Sequence, residues 1–189
     1  MAMEIRCLFP ELGPMVGYAA TATIRARGPT PHGDQTALYQ HVREVPGPRV
    51  AVVQDLDDPP GSGSLWGEVN ATIFRALGAV GCVTNGCVRD LKEARAMAFH
   101  FFARGPGVSH AYVRVESAGK PVTVGGLQVK PGDLIHADQH GVLSIPIQIA
   151  ADLPAAAERV ISSEQSLLTW VRSPDFDADE MIERRRVKH

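Results

Sequence analysis

Cysteine, aromatic residues and long apolar runs are all scarce in this sequence. Its 189 residues include three cysteines and 6% aromatic residues, and the formal net charge is only -2. An odd number of cysteines without zinc-ligand spacing indicates reduced thiols, so we expect Cys7, Cys82 and Cys87 to be unpaired in a cytoplasmic protein. No apolar run approaches the roughly 20 residues of a membrane span, and the start MAMEIRCLFP lacks the apolar region of a signal peptide. Without a basic stripe, nucleic acid is not expected as a direct partner.

The remaining composition favours one folded domain. Hydrophobic residues make up 44% of the chain, enough for a core that buries roughly 70% of the unfolded surface. We expect a single α/β domain over residues 1–172, followed by a charged tail over residues 173–189 that either forms a docking helix or stays mobile. Helices and strands alternate at first, and short strands between turns of Gly, Pro and Asp follow from residue 111 to residue 145. This pattern predicts a mixed sheet with a β-rich second half.

Two early segments carry more specific predictions. Small and apolar residues alternate from Val16 to Ile24, which predicts a strand with one buried face. Residues 28–33 are rich in Gly and Pro and predict a loop, after which Asp34 is expected to cap a helix.

The stretch LWGEVNATIFRALGAVGCVTNGCVRD, residues 65–90, is the most informative part of the chain. Apolar residues recur at helical spacing from Leu65 to Leu77, and Gly78 is expected to end the helix. The first turn of a helix has free backbone N–H groups and partial positive charge, so a carboxylate or phosphate can bind there. Residues 80–83 then read as a buried strand that ends at the turn pair Asn85-Gly86.

Arg89 and Asp90 follow that turn, which places them at the carboxyl end of a strand, where open α/β sheets bind ligands. Asp55 ends an earlier buried strand and is predicted at the same edge. The guanidinium of Arg89 can hold a carboxylate through two hydrogen bonds, and the oxygens of Asp90 suit a hydrated Mg²⁺ or Mn²⁺ ion. Together with the helix start they predict a pocket for a short 2-oxo acid. On the pattern alone, a surface ion pair or a helix cap is the commoner explanation of an Arg-Asp pair.

Glu68, twenty intervening residues and Arg89-Asp90 resemble the signature of the divalent-metal pyruvate aldolases and of their relatives, the RraA-like proteins. These aldolases cleave 4-hydroxy-4-methyl-2-oxoglutarate and 4-carboxy-4-hydroxy-2-oxoadipate. The resemblance extends from about residue 8 to about residue 168. Further blocks match in order and spacing: Val122-Thr123-Val124-Gly125-Gly126, Val129-Lys130-Pro131-Gly132-Asp133, Ala137-Asp138-Gln139-His140-Gly141-Val142 and Ile145-Pro146.

The resemblance implies a three-layer β/β/α fold of the swivelling, phosphohistidine-domain type, assembled as a homotrimer with active sites at subunit boundaries. It also implies roles for individual residues. Asp90 would bind the metal, Arg89 would bind substrate, and Glu68 would contact metal-bound water. A glutamate on a late helix of the neighbouring subunit, matched here by Glu164, would assist proton transfer. The substrate-binding set implied by the family pattern is Gly67, Glu68, Val69, Asn70 and Arg89.

The expected activity is that of a metal-dependent lyase that releases pyruvate through a metal-stabilised enolate. Carbon-carbon cleavage of a 4-hydroxy-4-methyl-2-oxoglutarate-like substrate and decarboxylation of oxaloacetate both produce this enolate, so the same pocket supports either reaction. The alternative is a non-catalytic regulator of the RraA type, which binds an RNA-degrading enzyme.

Three positions depart from the family pattern. Asn70 stands where leucine is frequent, Asn85 where an acidic residue is frequent, and His140 where aspartate is common. Altered polarity at these positions would lead the pocket either to accept a different 2-oxo acid or to lose its chemistry altogether.

The residues His136, Asp138 and His140 form a competing candidate for a metal site. On a regular strand these alternating residues would share one face and could hold zinc or iron. However, Gln139-His140-Gly141 reads as a turn, which would break the alternation.

Overall fold

Four parallel strands form the centre of an eight-stranded mixed sheet in the computed structural model, which describes residues 1, 4–28 and 34–186. The parallel strands are β2 (Met15–Arg25), β3 (Arg49–Asp55), β4 (Ala79–Thr84) and β6 (His100–Ala103). The antiparallel strands are β1 (Arg6–Cys7), β8 (Arg114–Ala118), β11 (Leu134–Asp138) and β12 (Gly141–Ile145). The order is β1-β6-β4-β3-β2-β11-β12, and β8 also pairs with β2. The mixed α/β prediction with a β-rich second half is therefore confirmed.

Strand β2 has three neighbouring strands because one of its edges is long enough to pair with two strands in succession. One edge pairs with β3 in parallel, while the other edge pairs with β11 over residues 15–18 and with β8 over residues 22–25. Both faces are covered at the centre of the strand, where Ala19 to Ala22 are fully buried. The predicted strand is correct, but the prediction of a single buried face is wrong, since the small residues allow close packing on both sides.

Three helices connect the parallel strands and cover one face of the sheet. They are α1 (Thr36–Glu44), α2 (Glu68–Ala76) and α3 (Leu91–Ala96). Asp34 Oδ1 accepts a hydrogen bond from Thr36 N at the start of α1 (2.7 Å), as its predicted capping role requires. Most of the predicted loop before it, residues 29–33, lies outside the described residues. The helices contribute these side chains to the larger of two apolar clusters: Leu38, Val42, Ala71, Phe74 and Ala94.

The opposite face of the sheet is covered by a hairpin of β9 (Val122–Val124) and β10 (Leu127–Val129). Val50 and Val52 of β3 pack with this hairpin, whereas the alternating Ala51 and Val53 belong to the helix side. This alternation shows that the two clusters lie on opposite faces of one sheet. Helices, sheet and hairpin thus form successive layers, and the likeness to a swivelling domain stays a prediction.

The guanidinium of Arg49 joins the ends of two helices at the start of β3. Its Nε donates to Val45 O (2.6 Å) just beyond α1, and Nη1 donates to Leu77 O (2.7 Å) at the end of α2. The last carbonyls of a helix have no intrahelical partners, and a cation there also interacts favourably with the helix dipole. Arg49 therefore fixes both helices relative to β3.

The chain divides into two compact units, residues 1–146 and residues 147–189. The second contains α4 (Leu153–Val171) and α5 (Ala178–Arg186). Trp170 packs edge-on against Phe176 (5.2 Å between centroids), and Arg184 lies over the Trp170 ring (4.4 Å). None of the helices in the described residues is both long enough and apolar enough to cross a membrane. The division into residues 1–172 and 173–189 stays a prediction.

Candidate functional site

Two short strands and the segment at Trp66 run parallel to one another just before the Arg-Asp pair and the start of α2. Strand β5 (Cys87–Val88) pairs with β7 (Gly105–Pro106), and Trp66 forms a parallel bridge with Val88 on the other side. Arg89 N donates to Trp66 O (2.9 Å), which places Arg89 beside the residue that precedes Gly67. The start of α2 and the Arg-Asp pair are therefore adjacent, as the sequence predicts.

Gly67 is in close contact with both members of that pair. A Cβ added to Gly67 would lie 2.5 Å from Asp90 Oδ2 and 3.1 Å from Arg89 Nη2. The φ of Gly67 is -166°, an extended conformation that any residue can adopt. Glycine is required here by space rather than by backbone conformation.

The carboxylate of Asp90 binds the first peptide N–H of α2. Oδ2 accepts a hydrogen bond from Glu68 N (2.9 Å), and Oδ1 lies 3.7 Å from Arg89 Nη1. Within the described residues Oδ1 accepts no hydrogen bond. The ion-pair and helix-cap explanations of the Arg-Asp pair are thus both realised, the first through Oδ1 and the second through Oδ2.

Arg89 presents part of its guanidinium to solvent and buries the rest. The side chain is 29% exposed, and its Nε is buried without a hydrogen-bond partner among the described residues. Cys87 lies two residues earlier, and Gly61 O accepts a hydrogen bond from its thiol (3.4 Å). Burial raises the pKa of the Cys87 thiol, which keeps it neutral near physiological pH. Because the Cys87 thiol is neutral, it does not offset the positive charge that the Arg89 guanidinium brings to the site.

The next two peptide N–H groups of α2, those of Val69 and Asn70, make no hydrogen bond within the described residues. They point out of the first helical turn, where the dipole adds partial positive charge. The Val69 side chain beside them is 72% exposed. Two peptide N–H groups near Arg89 and Asp90 are therefore without a partner among the described residues.

The Asn70 side chain is directed to internal partners. Its Nδ2 donates to Leu65 O (2.6 Å), and its Oδ1 lies 3.3 Å from the hydroxyl of Tyr39. The Tyr39 hydroxyl makes a shorter bond to Gln35 Oε1 (2.7 Å). Asn70 therefore offers its backbone N–H to a ligand, while its amide side chain stabilises the turn before α2.

Asp55 ends β3 at the edge of the sheet, as predicted, and its carboxylate organises the following loop. Asp57 N donates to Oδ1 (3.0 Å), and Gly61 N donates to Oδ2 (2.7 Å). Burial raises the pKa of Asp55, and these two hydrogen bonds oppose the shift.

The side chain of Asn85 makes two hydrogen bonds to the backbone of Asp55. Its Oδ1 accepts from Asp55 N (2.7 Å), and its Nδ2 donates to Asp55 O (2.9 Å). Sequence reasoning missed this pairing, which gives Asn85 a role between strands rather than in the pocket.

The competing metal site at His136, Asp138 and His140 is not assembled. Gln139 and His140 form the two-residue turn between β11 and β12, in which Asp138 pairs with Gly141. His140 N donates to Asp138 Oδ1 (2.8 Å), and this bond lowers the pKa of Asp138. In the part of the chain that the structure describes, no group of three His, Cys, Asp or Glu side chains is placed to hold a metal ion. The predicted turn is confirmed.

The donor set at Asp90 fits a hydrated divalent cation. One carboxylate oxygen accepts a hydrogen bond from the Glu68 peptide. The other lies 3.7 Å from Arg89 Nη1 and accepts no hydrogen bond among the described residues, on a side chain that is 36% exposed. Mg²⁺ is commonly bound through one or two carboxylates while it keeps several waters. A single open carboxylate suits this mode of binding better than a closed site with four protein ligands.

Glu164 lies on α4 in the second unit, and its residue is exposed. Its predicted role involves a neighbouring subunit, so it stays a prediction.

Comparison with known proteins gives consistent matches. The family model described as RraA-like, aldolase/RraA, matches residues 2–144. A protein of Halalkalibacterium halodurans, named as a candidate 4-hydroxy-4-methyl-2-oxoglutarate aldolase, is 28% identical over 133 residues, covering 70% of this chain and 60% of the relative. A protein of Burkholderia mallei with the same name is 45% identical over 76 residues, covering 35% of this chain and 41% of the relative. The chain thus spans about 60% or less of the length of these relatives.

Solved structures share the fold. RraAS2 of Streptomyces coelicolor, described as an unusual member of the RNase ES inhibitor RraA protein family, superposes with a TM-score of 0.67 at 25% identity. That match covers 85% of this chain and 79% of RraAS2. An uncharacterised protein from Pseudomonas syringae has a TM-score of 0.73 at 22% identity, covering 99% of this chain and 81% of its own.

Proposed function

The chain belongs to the RraA-like family, and from this premise we propose that it is a divalent-metal-dependent lyase of the pyruvate aldolase type. It cleaves or decarboxylates a 2-oxo acid, of the 4-hydroxy-4-methyl-2-oxoglutarate or oxaloacetate kind, and releases pyruvate. One observation carries the proposal: the open oxygen of Asp90, the guanidinium of Arg89 and the free amides of α2 lie together around Gly67.

Arg89 and α2 bind the carboxylate of the pyruvyl half. The guanidinium donates to one side of the carboxylate, and the peptide N–H groups of Val69 and Asn70 donate to the other. Such charge-assisted bonds are roughly twice as strong as neutral ones. They hold the scissile bond in one orientation, which lowers the entropy cost of the reaction.

Asp90 would hold the divalent cation through Oδ1, the oxygen that the Glu68 peptide does not bind. When bound, Mg²⁺ or Mn²⁺ supplies Lewis-acid stabilisation of the negative charge that develops on the 2-oxo oxygen. Gly67 keeps this side of the pocket free of a side chain, so the substrate can approach the carboxylate and guanidinium together.

Cleavage of a hydroxylated substrate also requires a base that removes the hydroxyl proton. We assign assistance in this step to Glu164 from a second copy of the chain, following the family pattern. Decarboxylation of oxaloacetate needs no such base, because loss of carbon dioxide itself produces the enolate. Replacement of Glu164 by glutamine should therefore impair aldol cleavage more than decarboxylation.

Oligomerisation is part of the proposal, because Glu164 acts in the site of a neighbour. The apolar side chains of Val160, Ile161 and Leu168 on α4 are 57%, 55% and 40% exposed in the single chain. Burial of such a stripe against another copy is favourable. We propose a homotrimer, for which light scattering should give a mass about three times 20.3 kDa.

The decisive experiment measures pyruvate released from oxaloacetate and from 4-hydroxy-4-methyl-2-oxoglutarate. Lactate dehydrogenase reports pyruvate, with Mg²⁺ or Mn²⁺ present and again with excess chelator. Because oxaloacetate also decarboxylates without enzyme, Asp90→Ala protein at equal concentration serves as the matched control. Metal-dependent release above that control supports the proposal, and release that is equal in the two proteins would refute it.

The alternative is a regulator that binds an RNA-degrading enzyme and catalyses nothing. The likeness to RraAS2, described as belonging to an RNase inhibitor family, favours it. Absence of pyruvate release from both substrates, combined with inhibition of an RNase E-type enzyme by the purified chain, would establish this function instead.

A further inference from the structure

Asp90 precedes α3, yet its side chain does not cap that helix. An aspartate at this position ordinarily accepts a hydrogen bond from the first turn of the helix that follows it. Here no side-chain cap is formed, and Oδ2 accepts its bond from Glu68 N at the start of α2 instead. The carboxylate is therefore shared between two elements that are distant in sequence.

The backbone conformation of Asp90 accounts for the side chain pointing toward α2 rather than α3. Its φ is 53° and its ψ is 51°, the left-handed helical region, which is uncommon for residues other than glycine. Sparsely populated conformations persist where the surrounding structure determines them, and they cluster at functional sites. The bond to Glu68 N is the contact that Asp90 gains from this conformation.

The bond also fixes the rotation of the carboxylate. With Oδ2 held at 2.9 Å from Glu68 N, Oδ1 is the oxygen directed toward Arg89, 3.7 Å from Nη1. A carboxylate without this contact would turn freely about its last bond and could pair with Arg89 through either oxygen.

We infer that the peptide N–H of Glu68 is a positioning group: it holds Oδ2 of Asp90, so that Oδ1, beside Arg89, is the oxygen left for the cation. This inference rests on the proposed function. The N–H groups in the first turn of α2 then have two roles. The N–H of Glu68 holds the metal ligand Asp90, and the N–H groups of Val69 and Asn70 bind the substrate. This role of Glu68 lies in its backbone N–H, and it is separate from the water-contacting role that the resemblance implies for its carboxylate.

Proline at position 68 provides the test. It removes the N–H, and proline is well tolerated at the first position of a helix, where the N–H has no intrahelical partner. Gly67 is extended, which is the conformation favoured before proline. Glu68→Ala is the matched control, because it removes the carboxylate and keeps the peptide N–H.

Mn²⁺ binding, measured by calorimetry or by the loss of its free electron-spin resonance signal, should separate the variants. We expect the dissociation constant of Glu68→Pro to rise about tenfold or more, as for loss of a hydrogen bond to a charged group. The dissociation constant of Glu68→Ala should rise less than that of Glu68→Pro, because alanine keeps the peptide N–H that holds Oδ2. Equal affinities of the two variants would overturn the inference, whereas a wild-type protein that binds no Mn²⁺ would overturn the proposed function.

Amide exchange of the wild-type protein gives a second test that does not depend on how Glu68→Pro folds. With Mg²⁺ added, the Glu68 amide should keep its slow exchange, because Oδ2 stays on the peptide while Oδ1 faces the cation. Fast exchange of this amide in Mg²⁺ would mean that the carboxylate leaves the peptide to bind the ion, and the inference would be wrong.

Discussion

The backbone N–H of Thr21 donates a hydrogen bond to Nε2 of His41 over 3.2 Å. The imidazole must be neutral to accept this bond, so its remaining proton is on Nδ1. Burial lowers the pKa of His41, and the nearby Glu44 opposes that shift. His100 is also buried, lies almost parallel to Phe102, and has its pKa lowered by burial.

Both histidines make the free energy of unfolding depend on pH. Their folded-state pKa values lie below the unfolded value of about 6.5, so below that pH the unfolded chain binds more protons. Stability should be complete above about pH 6.5 and should fall as the pH decreases toward 5. Urea unfolding at several pH values measures this slope, and the variant with His100→Phe should show a smaller one. An unchanged slope in that variant would exclude His100 as a contributor.

Asp90→Ala and Asp90→Asn should separate the two roles of Asp90. Both variants should lose metal-dependent pyruvate release, because neither retains the charge that holds the cation. Asparagine keeps an oxygen for the Glu68 N–H and tolerates the left-handed backbone, whereas alanine should lose about 1 kcal/mol of stability as a missing helix cap. Thermal melts combined with the coupled assay give both quantities. Full activity in either variant would contradict the metal site.

Arg89→Ala should lower kcat/KM by an amount equivalent to roughly 2 to 5 kcal/mol of transition-state stabilisation. Arg89→Lys should recover only a small part of this loss, since an ammonium group cannot form the two parallel bonds of a guanidinium. Steady-state kinetics with oxaloacetate measures both variants. A lysine variant as active as the wild type would show that simple charge, rather than paired hydrogen bonds, holds the substrate.

Gly67→Ala should inactivate the site while leaving the fold intact. The added Cβ would lie 2.5 Å from Asp90 Oδ2, so the carboxylate must shift, and we expect this shift to disturb its bond to Glu68 N. Because the backbone of Gly67 is extended, alanine introduces no conformational strain of its own. Circular dichroism should match the wild type, while Mn²⁺ binding and turnover fall. Normal turnover would show that Asp90 can shift without consequence.

Arg49→Ala should destabilise the first unit by about 2 kcal/mol, because carbonyls at the ends of two helices lose a charged donor. Arg49→Lys should restore only part of this energy, since one ammonium cannot reach both carbonyls in the same geometry. Urea unfolding at constant pH is the measurement. Equal stability of the lysine variant and the wild type would mean that charge alone accounts for the effect.

Local patterns predicted much of this architecture. The helical spacing between Leu65 and Leu77, the buried run before Asn85-Gly86, and the position of Arg89-Asp90 after that turn all depend on residues close in sequence. The structure confirms α2, β4 and the turn at nearly the predicted bounds. Such signals are reliable because hydrophobic periodicity and turn residues act over a few positions.

Contacts between distant segments could not be predicted in the same way. The bond from Glu68 N to Asp90, the internal partners of Asn70 and the pairing of Asn85 with Asp55 all depend on how strands and loops are brought together. Polar residues at turns have many possible partners, and the sequence does not specify which one is nearest. The side chains of Asn70 and Asn85, two departures from the family pattern, both bind neighbouring backbone groups, and their effect on substrate choice stays a prediction.

Because Asp90 also completes the first turn of a helix, selection can retain this aspartate for two separate reasons. A descendant that no longer carried out any reaction would still benefit from keeping it, since its loss would loosen the framework. The signature by itself therefore does not distinguish working enzymes from inactive relatives. That distinction has to come from metal binding and turnover, because the peptide N–H groups of Val69 and Asn70 are present whatever side chains these positions carry.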